Sequence, residues 1–365
     1  MMTRPNVTLT VAAVLIGLSC ARTVGAQSPP TGGLFAPLPA AVIPQAASSD
    51  AASSVARPAT TTFLGDTGVW FVPIAEVLSV GGWSATGYRR GTNYIQGYTS
   101  VADLAGTFAM GVTNRVELFG SVLANTTLDR DLQPVFVNDP SYGGFIDRYP
   151  RVSSSSPVHG FGDAYVGAKV NLTSQYRGDF AAVAVRSVVK LPTADDRVGA
   201  GTGKADVSFE AIGSREFAER LEVAAVLGYA VLGRPNGFVT PSGAFTWGGA
   251  AAYPSRGAIR VFGEATGVVP SSDAASRTMP LVGTDGSVAP TSAQTENLTR
   301  VSAGLTWQMR GGLFMGAGVS WTGPRQERIA VSQTDQTFGD YRDFQIRFGF
   351  HPGVHRSTTA QPTGR

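Results

Sequence analysis

Thirteen charged residues recur in this chain at one kind of position: Asp103, Glu117, Asp163, Lys169, Arg186, Lys190, Asp206, Glu210, Glu222, Arg260, Glu264, Arg300 and Arg347. Each falls on the minority face of a segment whose other face is apolar. Side chains alternate across a strand, so such residues line one side of it. Carboxylates and cations interleave, which suits two kinds of electrostatic work: ion-pair ladders that close a lumen, or a charged filter along a wet one. A dry core would not accept so many charges, because each unpaired buried charge costs several kcal/mol. Six of them, Arg186, Lys190, Glu210, Arg260, Glu264 and Arg300, are the candidates for setting the selectivity of a narrow lumen.

Other chemistry finds less support. The run from Gly199 to Lys204 looks like a phosphate loop, but Val198 stands where the first glycine belongs and Ala205 replaces the Ser/Thr. The histidines are His159, His351 and His355. His159 lies near Ser153 to Ser156, yet none of the three is placed for a hydrolase on a barrel wall. No His/Cys/Asp group has metal-ligand spacing, and Asp129, Asp131, Asp139 and Asp147 lack the spacing of an EF-hand. The chain is therefore read as a non-enzyme, without metal or cofactor.

The elements that must position the charges follow from the same alternation. Segments of about ten residues repeat it, the length of a strand crossing a bilayer. In the last one, Phe344, Ile346, Phe348 and Phe350 point one way and Gln345, Arg347 and Gly349 the other. Strands are predicted at residues 83–90, 101–110, 115–123, 161–172, 179–191, 205–213, 221–232, 244–253, 258–267, 300–309, 313–321 and 341–351. Short turns alternate with long loops at 124–160, 193–204, 268–297 and 322–340. Both strand ends of the set lie on the short-turn side, as in bacterial outer-membrane barrels. The predicted fold is all-β: a transmembrane antiparallel up-and-down barrel of about 12 strands spanning residues 83–351. The 45 glycines and 15% charged residues, with mean hydropathy close to zero, exclude a helical membrane protein.

Residues 1–26 read as a secretory signal: Arg4, an apolar stretch from Val7 to Leu18, and the cleavage site Val24-Gly25-Ala26. Loss of Arg4 and Arg22 takes the formal charge from +3 to about +1. With no basic patch, a nucleic-acid partner is not expected. Cys20, the single cysteine, lies in the signal and lacks the upstream leucine of a lipoprotein anchor. Residues 27–62, rich in Ala, Pro and Ser, read as a flexible periplasmic leader. Residues 63–82 are an apolar and aromatic lead-in that either packs at the periplasmic mouth, tucks into the lumen, or adds an edge strand. Residues 352–365 form a flexible tail.

Three motifs carry a resemblance: Gly162-Asp163-Ala164-Tyr165-Val166-Gly167-Ala168-Lys169, Val189-Lys190-Leu191-Pro192-Thr193 and Gly201-Thr202-Gly203-Lys204-Ala205-Asp206. Together they resemble outer-membrane barrels assigned as transporters of the phenol-degradation meta-pathway. The lead-in from Thr67 to Leu78 is similar to one in OmpA-like barrels, although no peptidoglycan-binding domain follows residue 350 here. The resemblance implies passage of small, partly apolar or aromatic molecules. The reading is an outer-membrane channel or transporter with a charge-lined lumen, in contact with outer-membrane lipid, lipopolysaccharide, the barrel-assembly machinery and a small-molecule cargo. The alternative is a structural or adhesive barrel with a plugged lumen and working loops at 124–160 and 268–297. Complete charge pairing at every level favours the alternative, and an unpaired band favours a filter.

Overall fold

In the computed structural model, the described residues are 57–94, 99–130, 145–152, 157–280, 288, 290–323 and 342–352. The signal, Cys20, leader residues 27–56, Ser153 to Ser156, Asp131, Asp139, His355 and tail residues 353–365 lie outside them.

Among the described residues, twelve strands close into a barrel: β1 (Trp83–Tyr94), β2 (Thr99–Gly111), β3 (Val116–Arg130), β4 (Ala164–Thr173), β5 (Ala182–Leu191), β6 (Asp206–Phe217), β7 (Leu221–Val231), β8 (Gly243–Tyr253), β9 (Ile259–Pro270), β10 (Leu298–Gln308), β11 (Leu313–Gly323) and β12 (Arg342–Phe350), with the short segment Val158–Gly160 of the expected loop 124–160 added to the sheet beside the end of β3. Each pairs antiparallel with its neighbour in the chain. β12 closes the ring on β1, with Ala85 opposite Phe350 and Arg89 opposite Ile346. Closure leaves no strand edge, so lipid meets no unpaired backbone group.

The alternation sorts the two faces as predicted. Along β2, Val101, Asp103, Ala105, Thr107 and Ala109 are buried in the lumen, while Leu104, Phe108 and Met110 are exposed on the outer wall. Along β5, Arg186 and Lys190 point in while Val183, Val185 and Leu191 point out. Leu227, Val261, Leu305, Trp307 and Phe348 continue the outer apolar belt, as a lipid-facing wall requires.

Three sequence expectations are corrected. The third strand does not end at Leu123 but runs on to Arg130. The register against β2 shifts between Leu104 and Ala105, which pair with Asn125 and Leu123 and leave Ala124 as the extra residue. This bulge flips the phase, so that Leu123 and then Thr126 and Leu128 face in. A bulge breaks period-2 patterning and reads as a loop in sequence. Likewise β1 continues through the polar run to Tyr94. Finally, within the expected loop 268–297, residues to Pro270 belong to β9. Ala274–Arg277 pairs there with Ser292–Gln294 and with Phe238–Val239 in a small second sheet.

Two turns at the short-turn end are closed by left-handed glycines. Gly178 (φ 87°) closes the turn Gln175–Arg177, capped by Ser174. Gly311 and Gly312 (φ 84° and 94°) reverse the chain between β10 and β11. Both conformations favour a residue without Cβ.

Residues 57–80 fill the lumen from this end. Thr60, Thr61, Thr62, Trp70, Val72, Ile74, Ala75 and Leu78 have no exposed surface. The segment folds on itself, with Phe63 N–H donating to Trp70 O (3.0 Å) and Ile74 N–H to Thr67 O (3.1 Å). Residues 57–62, expected in a flexible leader, are thus part of a packed plug. Their lack of periodicity reflects burial on all sides rather than freedom.

Candidate functional site: the plugged lumen and its outer cavity

Two wall carboxylates grip the plug backbone and a third grips the side chain of Arg57. Glu264 on β9 accepts hydrogen bonds from Trp70 N–H (2.8 Å), Phe71 N–H (2.8 Å) and Val72 N–H (3.3 Å). Consecutive amides pointing at one anion form a nest, a strong fixed site for negative charge. Glu117 on β3 accepts from Thr67 N–H (2.8 Å), Thr67 Oγ1 (2.9 Å) and Leu78 N–H (3.0 Å). Glu222 on β7 pairs with Arg57 (2.6 Å) and with Arg260. Burial alone would lower the Arg57 guanidinium, but the carboxylates of Glu222 and Glu216 overcome this and hold it above its usual value.

The plug returns carboxylates of its own. Asp66 meets Arg186 (2.7 Å), which also pairs with Glu210, and lies 3.6 Å from Lys169. Lys169 is fully buried and 3.0 Å from Glu117. Glu76 accepts from Ser174 Oγ (2.7 Å) and Gln175 N–H (2.9 Å) at the short-turn end. Gly65, at φ 113°, lies so close to the wall that a Cβ there would collide with the Gly120 carbonyl.

Wall arginines stack on plug aromatics. Arg90 lies over Phe63 (3.7 Å), Arg300 over Phe71 (4.8 Å) and Arg347 over Trp70 (4.3 Å). Trp70 stacks on Phe262 with ring centroids 4.9 Å apart and meets Tyr88 edge-on. Cation–π contacts of this kind strengthen when desolvated.

Above the plug tip, at the long-loop end, lies a cavity of about 330 Å³. Phe63, Leu64 and Phe71 of the plug contribute to its lining, with Tyr94, Tyr149, Tyr165 and Trp247 around them. Lys190 reaches into it, held by Asp206 (2.6 Å) and Asp163 (3.5 Å). Burial raises the loop carboxyl of Asp147 above its usual range, with Arg148 acting against it.

The six residues singled out in sequence therefore separate. Arg186, Lys190, Glu210 and Arg300 line the cavity; Arg260 and Glu264 lie outside its lining and work on the plug and its anchors. Sequence reasoning singled out none of Arg57, Asp66 and Glu76: tucking into the lumen was one of three readings of residues 63–82, and Arg57 fell in the expected leader. It also missed Arg90, which pairs with Asp103.

The family described as "Putative MetA-pathway of phenol degradation" matches residues 89–350. Among solved structures, the chain is similar to an outer membrane channel from Pseudomonas putida F1 (12% identity, 77% of this chain and 97% of that one, TM-score 0.50). It also matches the CymD monoaromatic hydrocarbon channel (10%, 76% and 89%, TM-score 0.36) and the outer membrane protein OmpT of Vibrio cholerae (12%, 77% and 99%, TM-score 0.32). No curated protein sequence matches it. The twelve-stranded outer-membrane fold and the match across β1 to β12 agree, and the chain belongs to the family of the putative MetA pathway of phenol degradation.

Proposed function

We propose that this barrel is a narrow outer-membrane channel for small, partly apolar aromatic molecules, in which the plug at residues 57–80 excludes larger hydrophilic solutes. The cavity carries the reading: aromatic side chains from both the plug and the wall converge on one small space at the long-loop end. Small-ligand sites combine such apolar walls with a few placed polar groups. Arg186, Lys190, Glu210 and Arg300 would set selectivity there, and Arg260 and Glu264 would act indirectly through the plug. Cleavage near Ala26, insertion by the barrel-assembly machinery and lipopolysaccharide as outer-leaflet neighbour belong to the same reading.

The reading assigns no reaction to the chain. His159 Nδ1 is bonded to Thr127 Oγ1 (2.9 Å) and His351 Nε2 to Gln308 Oε1 (3.0 Å), so both rings are engaged.

The test is influx into proteoliposomes together with conductance in planar bilayers. The folded chain should admit phenol while excluding a pentose sugar, and its conductance should be small. Glu264→Ala orphans three buried plug amides, each worth about 1–3 kcal/mol if left unpaired, and should raise conductance several-fold. Phenol influx no faster than through protein-free vesicles would overturn the channel reading.

A further inference from the structure

We infer that the cavity above the plug is a binding site for a monocyclic aromatic carboxylate, with Arg300 as its anion anchor. The inference rests on the channel reading above and names the cargo class that its outer site selects.

Arg300 stands on β10 at the long-loop end and lines the cavity. It is more than nine-tenths buried, at 8% exposure. It makes no ion pair with any described residue. Its Nη2 donates to Gly91 O (3.0 Å) and to Thr92 Oγ1, which are neutral acceptors. Its Nε is buried with no hydrogen-bond partner. The neighbouring carboxylates pair with other arginines, Asp103 with Arg90 and Asp343 through Oδ1 with Arg89 (3.1 Å), and neither forms an ion pair with Arg300. A buried guanidinium with spare donors and only neutral partners favours an arriving anion, because pairing removes much of its desolvation penalty.

The shape selects the rest of the ligand. Phe71 backs the guanidinium, its ring centroid 4.8 Å from Cζ, so the group rests against an aromatic ring. A planar fork held this way matches a carboxylate better than a point cation would. A volume of about 330 Å³ lies at the small end of ligand sites. Tyr94, Tyr149 and Tyr165 offer faces for one aromatic ring. On the far side Lys190 is shared by two carboxylates, Asp163 and Asp206, so that wall favours hydrogen-bond donors and repels a second anion. One ring bearing one carboxylate satisfies both walls.

The experiment is calorimetric titration of the folded full chain in detergent with benzoate and with benzamide, its neutral isostere. Charge-assisted hydrogen bonds contribute about 1.5–3 kcal/mol. Benzoate should therefore bind roughly ten- to a hundredfold tighter than benzamide. Arg300→Gln should abolish that preference while keeping benzamide affinity, and Arg300→Lys should retain part of it. Heat-modifiable gel mobility checks that each variant is folded. Equal affinity of the two ligands for the wild-type chain, or no binding of either, overturns the inference without use of any variant. Phenol influx that persists in that case leaves the channel reading standing, so the two failures are distinguishable.

Discussion

The lower and upper halves of the lumen are lined by the same kind of residue and behave as opposites. Below, Glu117, Lys169, Glu222, Arg260 and Glu264 are buried and meet plug groups, plug-anchored charges or one another, and the space is filled by Trp70, Ile74 and Leu78. Above, Lys190 and Arg300 face a cavity, and Arg300 has no carboxylate partner among the described residues. The difference teaches that an inward charge is not by itself a filter. What faces it decides: a plug turns the charge into a latch, and a void leaves it available to a ligand. The pairing ladder that would mark a closed structural barrel is thus present at one level, and the unpaired cation that would mark a filter is present at another.

The contrast can be broken most directly at its best-buried cation. Lys169→Ala removes the ammonium 3.0 Å from Glu117 and leaves Asp66 to Arg186, and the loss of this buried cation should cost about 3–5 kcal/mol. Lys190→Ala, beside the cavity, should cost less than half as much because water reaches its partners. Urea unfolding of the folded barrel measures both, and equal losses would erase the distinction between the two halves. Gly65→Ala should be next in size. It forces a Cβ into the Gly120 carbonyl at a positive φ, a strain of about 1–3 kcal/mol. The plug should loosen, visible as higher conductance with the barrel's gel mobility unchanged. The smallest effect belongs to the rim. Arg151 and Asp196 pair at 3.2 Å with both side chains over a third exposed. Asp196→Asn should cost less than about 1 kcal/mol, and its effect on cavity binding should be negligible in the same titration.

Much of the architecture was legible in the chain because lipid imposes a strict rule on every strand. Phe344, Ile346, Phe348 and Phe350 alternate with Gln345 and Arg347 as in a half-buried strand, and the same pattern in nearly every segment is what points to lipid on one face and a lumen on the other. The rule fails where geometry breaks the period. At Ala124 a bulge shifts the phase, and β3 beyond it read as loop. After Arg89 and Arg90, which pair with Asp343 and Asp103, the polar run Gly91 to Asn93 hides the continuation of β1 to Tyr94.

The sequence by itself determined that this is a closed barrel of about twelve strands, which wall residues face inward, and that charges of both signs line the interior. Those properties are local: each follows from a residue's neighbours two positions away. Only the tertiary structure decided that residues 57–80 return into the lumen, that Glu264 spends its charge on three plug amides, and that Arg300 is left over a cavity. Those contacts join residues far apart in the chain, from the 50 positions between Thr67 and Glu117 to the 194 between Trp70 and Glu264. No local pattern encodes which buried charge will meet a partner, because that depends on where an aperiodic segment comes to rest.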